Sequence, residues 1–134
     1  MKVIVDTPIW SYALRSKHKG YENHIEEFVN LISDQRVLIL GPITQEVLSG
    51  YSVKKKFGTL EEKLKYFENT PIIDEDYVTA AKFSNKCRCK GIQGSHIDFL
   101  ICSVASRLGS VIFTTDKDFL YYKKNLPIEL LELR

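Results

Sequence analysis

The chain has 134 residues, of which 44% are hydrophobic and 27% charged, and its net charge is +2. This composition excludes a disordered or fibrous protein and suits one domain of ordinary globular type over 1–134, with a substantial core. No apolar run approaches the roughly 20 residues that span a bilayer, and the N-terminal apolar stretch is too short for a signal peptide, so the expected setting is the cytoplasm with no membrane partner.

Val3-Ile-Val5 reads as a buried strand, and Asp6 ends it. Thr7 is then the expected N-cap of a helix with Pro8 at its first position, carrying Ile9, Trp10, Tyr12, Ala13 and Leu14. Ser16 to Tyr21 is a polar loop. Ile25, Phe28, Val29, Leu31 and Ile32 recur at helical spacing, which predicts a helix over Glu22 to Asp34. Val37 to Leu40 is the second strand, and Gly41-Pro42 is expected to stop it. Thr44 would cap the next helix and place Glu46 in its first turn. A further helix is predicted over Leu60 to Phe67, a third strand over Pro71 to Ile73, and a helix from Tyr77 to about Lys86.

Ser95 caps the most regular helix, Ser95 to Leu108. Its apolar positions Ile97, Leu100, Ile101, Val104, Ala105 and Leu108 follow the 3.6 period, and Gly109 closes it. Val111-Ile-Phe113 is the fourth strand. A short helix follows around Lys117 to Lys123, and Ile128 to Leu131 makes the last strand. Apolar strands alternating with amphipathic helices imply a parallel α/β sheet covered on both faces. Right-handed crossovers align the strand ends along one edge, where ligands bind at the switch in strand order.

Acids gather at that edge. Asp6 and Asp116 follow strands; Glu46 and Asp98 follow helix starts. Taken singly, each is explained by helix capping and the helix dipole, worth roughly 0.3–1 kcal/mol. Ser95-His-Ile-Asp98 even matches a capping box. Taken together they are harder to explain that way, because neighbouring strand exits lie about 5 Å apart. Carboxylates so close repel unless a cation sits between them. Only Lys117 lies within the motifs, and oxygen-only ligands select a hard ion, magnesium or manganese. Asp98 belongs to this group only if the chain returns to the same edge before Ser95. If the helix after Ile73 runs down the sheet, residues 87–94 must be extended to carry it back, at about 3.3 Å per residue.

Other chemistries are disfavoured. Cys87, Cys89 and Cys102 lack zinc spacing and read as free thiols. His18, His24 and His96 pair with no cysteine, although His96 stands two residues before Asp98. No Gly-rich phosphate loop is present. Pro8 occupies the position where a phosphoaspartate enzyme would carry a second acid. The basic clusters Lys54-Lys-Lys56, Lys86/Arg88/Lys90 and Lys123-Lys124 read as solvated faces that also suit a phosphate substrate.

Val-Asp6-Thr-Pro-Ile-Trp10, Ile-Thr-Gln-Glu46-Val-Leu-Ser-Gly50, Asp98-Phe-Leu-Ile-Cys-Ser-Val-Ala105 and Phe-Thr114-Thr-Asp116-Lys-Asp118-Phe119 come in the order and spacing of PIN-domain nucleases. At this length the chain resembles the VapC toxins of toxin–antitoxin pairs. The resemblance implies a five-stranded parallel sheet, strand order 3-2-1-4-5, with helices on both faces. It also implies a Mg2+- or Mn2+-dependent endoribonuclease acting on RNA. By motif match, Asp6, Glu46, Asp98 and Asp116 are its catalytic and metal-binding acids. Thr7 and Thr114 match its hydroxyl positions, and Asp118 matches a further acid that some members use. Pro8 stands where serine is common, and His96 and Cys102 depart from a helix usually lined with small residues. The implied partners are a cognate antitoxin and a second copy of the chain in a homodimer. Tyr12, Leu14, Tyr51, Phe57 and Tyr66 are candidates for apolar partner surface, with the core as their plain alternative.

Two other readings compete. One is a housekeeping RNA-processing nuclease of the same fold, distinguished by the absence of a neighbouring antitoxin gene. The other is a magnesium-binding, receiver-like switch phosphorylated on Asp74 at the end of the third strand.

Overall fold

The structure is a computed structural model that describes residues 1–15 and 19–133; the predicted loop at Ser16–Tyr21 falls partly, and His18 wholly, outside them. Five strands form one parallel sheet: β1 (Val3–Val5), β2 (Val37–Ile39), β3 (Glu68–Asn69), β4 (Val111–Phe113) and β5 (Glu129–Leu130). Their order is β3-β2-β1-β4-β5. Among the described residues, the helices are α1 (Thr7–Leu14), α2 (Glu22–Ser33), α3 (Gly41–Ser49), α4 (Lys54–Leu64), α5 (Asp74–Cys89), α6 (His96–Leu108) and α7 (Asp118–Asn125). None of them is long and apolar enough to cross a membrane.

Every residue of β1 and β2 is buried. Successive strand side chains point to opposite faces, so both faces of the sheet are covered, which is why these strands read as unbroken apolar runs. Ile4, Ile9, Leu40, Ile43, Ile101 and Phe119 are all but inaccessible to water. Burying each such side chain contributes about 1.5–3 kcal/mol. The register pairs Val5 with Phe113, and the Asp6 N–H donates to the Phe113 carbonyl at 2.9 Å. Asp6 and Thr114 therefore leave the sheet side by side, where the strand order reverses.

Several boundaries differ from the sequence reading. Thr7 does not cap α1; Asp6 does, its Oδ1 accepting the Thr7 N–H at 2.9 Å, with Pro8 in the first turn. Gly41-Pro42 opens α3 rather than stopping β2, because proline is tolerated in a helix's first turn, where its missing N–H has no partner to lose. Thr44 is thus inside α3, and Glu46 sits one turn deeper than expected. The three lysines 54–56 form the first turn of α4, and Phe67 lies beyond its end, edge-on to Trp10 at a ring distance of 4.9 Å.

The third strand is Glu68–Asn69, not Pro71–Ile73. It is an exposed edge pair bonded to Leu38 and Ile39, so burial left no apolar mark on it. Pro71–Ile73 instead leads into α5, where Asp76 accepts the Ile73 N–H at 3.0 Å. α5 extends past both predicted ends and lies antiparallel to α6. Its first turn meets the last turn of α6 through Asp76 and Arg107, while Arg88 near its end shares a groove with His96 at the start of α6. The helix itself returns the chain to the carboxyl edge, and residues 87–94 need not do so. Gly109 closes α6 in the left-handed region at φ 64°, which favours glycine.

Candidate metal centre at the carboxyl edge

The site is built from loops that leave β1 and β4 and from the first turn of α6. Asp6 is only 6% exposed. Its Oδ2 accepts the Thr114 hydroxyl at 2.7 Å, and its Oδ1 takes the Thr7 N–H. The Trp10 indole donates to the Val5 carbonyl at 3.0 Å and holds α1 against the strand exit. Burial pushes the Asp6 carboxyl up to about 6; the bonds from Thr114 and Thr7 oppose the rise, and the charges of Asp98 and Glu46 add to it.

The Thr114 hydroxyl also accepts the Asp116 N–H at 3.0 Å, so one side chain couples the two strand exits. Asp116 Oδ1 accepts the Asp118 N–H at 2.9 Å, which orders the start of α7. Tyr12 shares a hydrogen bond of 2.7 Å with Thr115 Oγ1, tying the last turn of α1 to this loop. Asp98 stands in the first turn of α6, where Ser95 Oγ accepts its N–H at 3.0 Å. Asp98, Asp116 and Asp118 each offer a carboxylate oxygen within 4.8 Å of the others. Burial raises the Asp98 carboxyl, opposed by the Tyr122 and Ser95 hydroxyls and reinforced by the charges of Asp116 and Asp118.

Asp6, Asp98, Asp116 and Asp118 therefore share one edge, with exposed Glu46 close enough for its charge to act on Asp6. Local bonding and clustering coexist: Asp6 caps α1, Asp116 accepts the first N–H of α7, and both still face other acids. Among the described residues, no lysine or arginine forms an ion pair with any of these acids. Thr7 contributes its N–H rather than its hydroxyl; Thr7 Oγ1 is buried without a hydrogen-bond partner.

Sequence reasoning did not single out Tyr122. Its hydroxyl donates to Asp98 Oδ2 at 2.8 Å, and its ring is fully buried. An apolar-spaced tyrosine looks like core, and only the partner distinguishes it. Gly94 packs against the same side chain. A Cβ there would lie 2.3 Å from the Tyr122 hydroxyl oxygen and 2.9 Å from Phe99 Cζ.

The remaining candidates divide. His96 is exposed, and His24 is half-buried with an unpartnered Nδ1. Cys87 and Cys102 are buried free thiols, and Cys89 is an exposed one. Burial, with the charges of Asp98, Cys87 and Asp6, holds the Cys102 thiol protonated. Asp74, the proposed phosphoacceptor, begins α5 just after Pro71. Pro71 lines a depression with Met1, Lys2 and Leu108–Ser110, at the strands' opposite ends, so Asp74 is remote from the acidic edge. None of the five suggested partner-surface side chains is fully buried; Tyr66 is 67% exposed, so the core reading fails for it.

A parallel α/β sheet with carboxylates converging at its switch point defines the class of protein. The chain belongs to the PIN domain family, whose model matches residues 3–125. No curated protein matches it by sequence. Among solved structures it is similar to FitAcB from Neisseria gonorrhoeae, with a TM-score of 0.78 and 18% identity over 97% of this chain and 96% of that one. It is equally similar to VapBC2 from Rickettsia felis bound to a DNA fragment from its promoter: TM-score 0.78, 17% identity, 100% of both chains. DNA-bound VapBC from Salmonella typhimurium gives 0.77 at 17% identity, over 98% of this chain and 97% of that one. At such identities the likeness bears on fold alone.

Proposed function

We propose that this chain is a Mg2+- or Mn2+-dependent endoribonuclease and the toxin of a toxin–antitoxin pair. The observation that carries this reading is the cluster of Asp98, Asp116 and Asp118 carboxylates, with buried Asp6 feeling the charges of Asp98 and Glu46 beside it, and with no ion pair to a basic side chain among the described residues. The donor set fits a hard divalent ion: every candidate ligand is a carboxylate oxygen, and the neighbouring Cys102 thiol stays protonated. RNA as substrate follows from the family's motifs.

Asp6, Asp98 and Asp116 would hold the ion, with the Asp118 carboxylate beside the last two and Glu46 at the margin. When bound, such an ion lowers the pKa of water and offsets charge developing on the phosphate and leaving oxygen. The protein's own contribution is rigidity and positioning. Thr7 N–H and the Thr114 hydroxyl lock both oxygens of Asp6 in place. Thr114 and Asp116 together fix the second loop against the first. Glu46, exposed at the margin, would bind a second ion or position the attacking water.

Mg2+-dependent cleavage of total RNA, with cut sites mapped, tests the reading. Wild type should cleave at defined sites and Asp98→Asn should not. Equal cleavage by both, or cleavage unaffected by a chelator, would overturn it.

An antitoxin partner is supported by an apolar groove of about 400 Å3 between α1, α2 and α4, lined by Trp10, Leu14, Phe28, Leu60, Leu64 and Tyr66 among others. An amphipathic segment of the antitoxin would lay its apolar face there. Leu14 and Tyr66 are exposed, so Leu14→Glu with Tyr66→Glu should abolish co-purification with the antitoxin and leave RNA cleavage by the free protein intact.

A further inference from the structure

We propose that Tyr122, held in place by the bare backbone of Gly94, is a positioning residue that fixes the carboxylate of Asp98 for the acidic centre; this rests on the nuclease reading above. Tyr122 comes from α7, and Asp98 from α6, so their bond at 2.8 Å joins two elements that enter the site from different directions. The phenol ring has no freedom to follow a moving carboxylate. It is fully buried, 5.0 Å from the Phe99 ring and 5.1 Å from the Phe119 ring. Gly94 closes the remaining side, since a methyl group there would overlap the hydroxyl.

The arrangement answers a definite need. Asp98 faces the charges of Asp116 and Asp118. A carboxylate free to rotate would turn away from both when no cation is bound. One neutral donor on Oδ2 stops that rotation without adding a positive charge that would compete with a metal. The Ser95 hydroxyl, which also acts on this carboxyl, is likewise neutral. A lysine or arginine in place of Tyr122 would instead satisfy the acid, as Arg107 satisfies Asp76. The pattern is that of an outer hydrogen-bond partner orienting a ligand, whose loss typically weakens metal affinity or activity about 10–100-fold.

Tyr122→Phe keeps the ring and removes only the hydroxyl. Mn2+ affinity, read by electron paramagnetic resonance on the full chain, should fall about 10–100-fold, and kcat for RNA cleavage should fall with KM little changed. The melting temperature of the metal-free variant should stay within a few degrees of wild type. Gly94→Ala, which displaces the hydroxyl without deleting it, should reproduce the loss of Mn2+ affinity. Gly94→Ala combined with Tyr122→Phe should lose no more than either alone, because both act on one bond. Wild-type Mn2+ affinity and kcat in Tyr122→Phe would overturn the proposal, as would losses explained wholly by unfolding. Failure of the wild-type protein itself to bind Mn2+ or cleave RNA would overturn the nuclease reading instead.

Discussion

Asp6 and Asp76 are both aspartates buried to within a few per cent, yet the protein treats them in opposite ways. Asp76 lies between the start of α5 and the end of α6. The Arg107 guanidinium grips it at 2.8 and 2.9 Å, and the Ile73 N–H supplies a further bond. Burial pushes its carboxyl up, but the Arg107 bonds, the Ile73 N–H and the Arg107 charge outweigh that and hold it below the usual range. Among the described residues Asp6 receives only neutral donors; it faces two other acids and is pushed up to about 6. A buried acid with its own cation is part of the scaffold. A buried acid denied one is a place where the fold carries an unbalanced charge, and such sites are where ligands act.

The largest expected effect is on chemistry. Asp6→Ala should lower RNA cleavage by orders of magnitude while far-UV circular dichroism remains native. Near-wild-type cleavage would remove Asp6 from the mechanism.

Next comes the scaffold pair. Arg107→Met strands Asp76 as an unpaired buried charge and should destabilise the fold by about 3–5 kcal/mol in urea titrations. Cleavage per folded molecule should hardly change, and the contrast between the two acids fails if it does.

Third is pH. Asp6 titrates near 3.8 in the unfolded chain and near 6 in the folded one. The folded state therefore keeps a proton that the unfolded state has lost. The contribution of Asp6 to stability is greatest below pH 4, falls as pH rises, and levels off above 6. For the metal-free protein that fall should be about 3 kcal/mol, taking 1.36 kcal/mol per pH unit. Asp98 acts in the same direction. Asp6→Asn should flatten the slope, and added Mg2+ should restore wild-type stability at pH 7.5. Asp76 has the opposite sign: its contribution is present at neutral pH and lost as pH falls through its lowered folded value.

The smallest effect concerns the cap. Ser95→Ala should cost about 1 kcal/mol by leaving the Asp98 N–H unbonded, and should lower Mn2+ affinity less than Tyr122→Phe does, because the side chain of Asp98 is held chiefly from Tyr122. A matching drop in affinity would show that capping, not Tyr122, sets the place of Asp98.

Much of this was legible beforehand, and the misses share causes. Buried strands β1, β2 and β4 and helix α6 announced themselves because burial imposes a period or an unbroken apolar run. β3 was misplaced because an exposed two-residue edge strand leaves no such mark. The start of α3 was missed because Gly-Pro signals a stop and an opening equally well, and position in the sheet decides between them. The direction of α5 stayed open because its orienting contact, Asp76 with Arg107, spans 31 residues. Asp118 matched a further acid that only some family members use, and its carboxylate lies with those of Asp98 and Asp116.

By itself, the sequence determined which acids stand at strand exits and helix starts, since those positions follow from local hydrophobic runs and caps. It also determined the family, through four motifs in order. Only the tertiary structure decided which acid receives a cation, which hydroxyl bridges two strand exits, and that Tyr122 reaches Asp98 past a glycine. Those outcomes depend on pairs distant in the chain. Local composition specifies what each residue can bond to, and packing specifies what is there to be bonded.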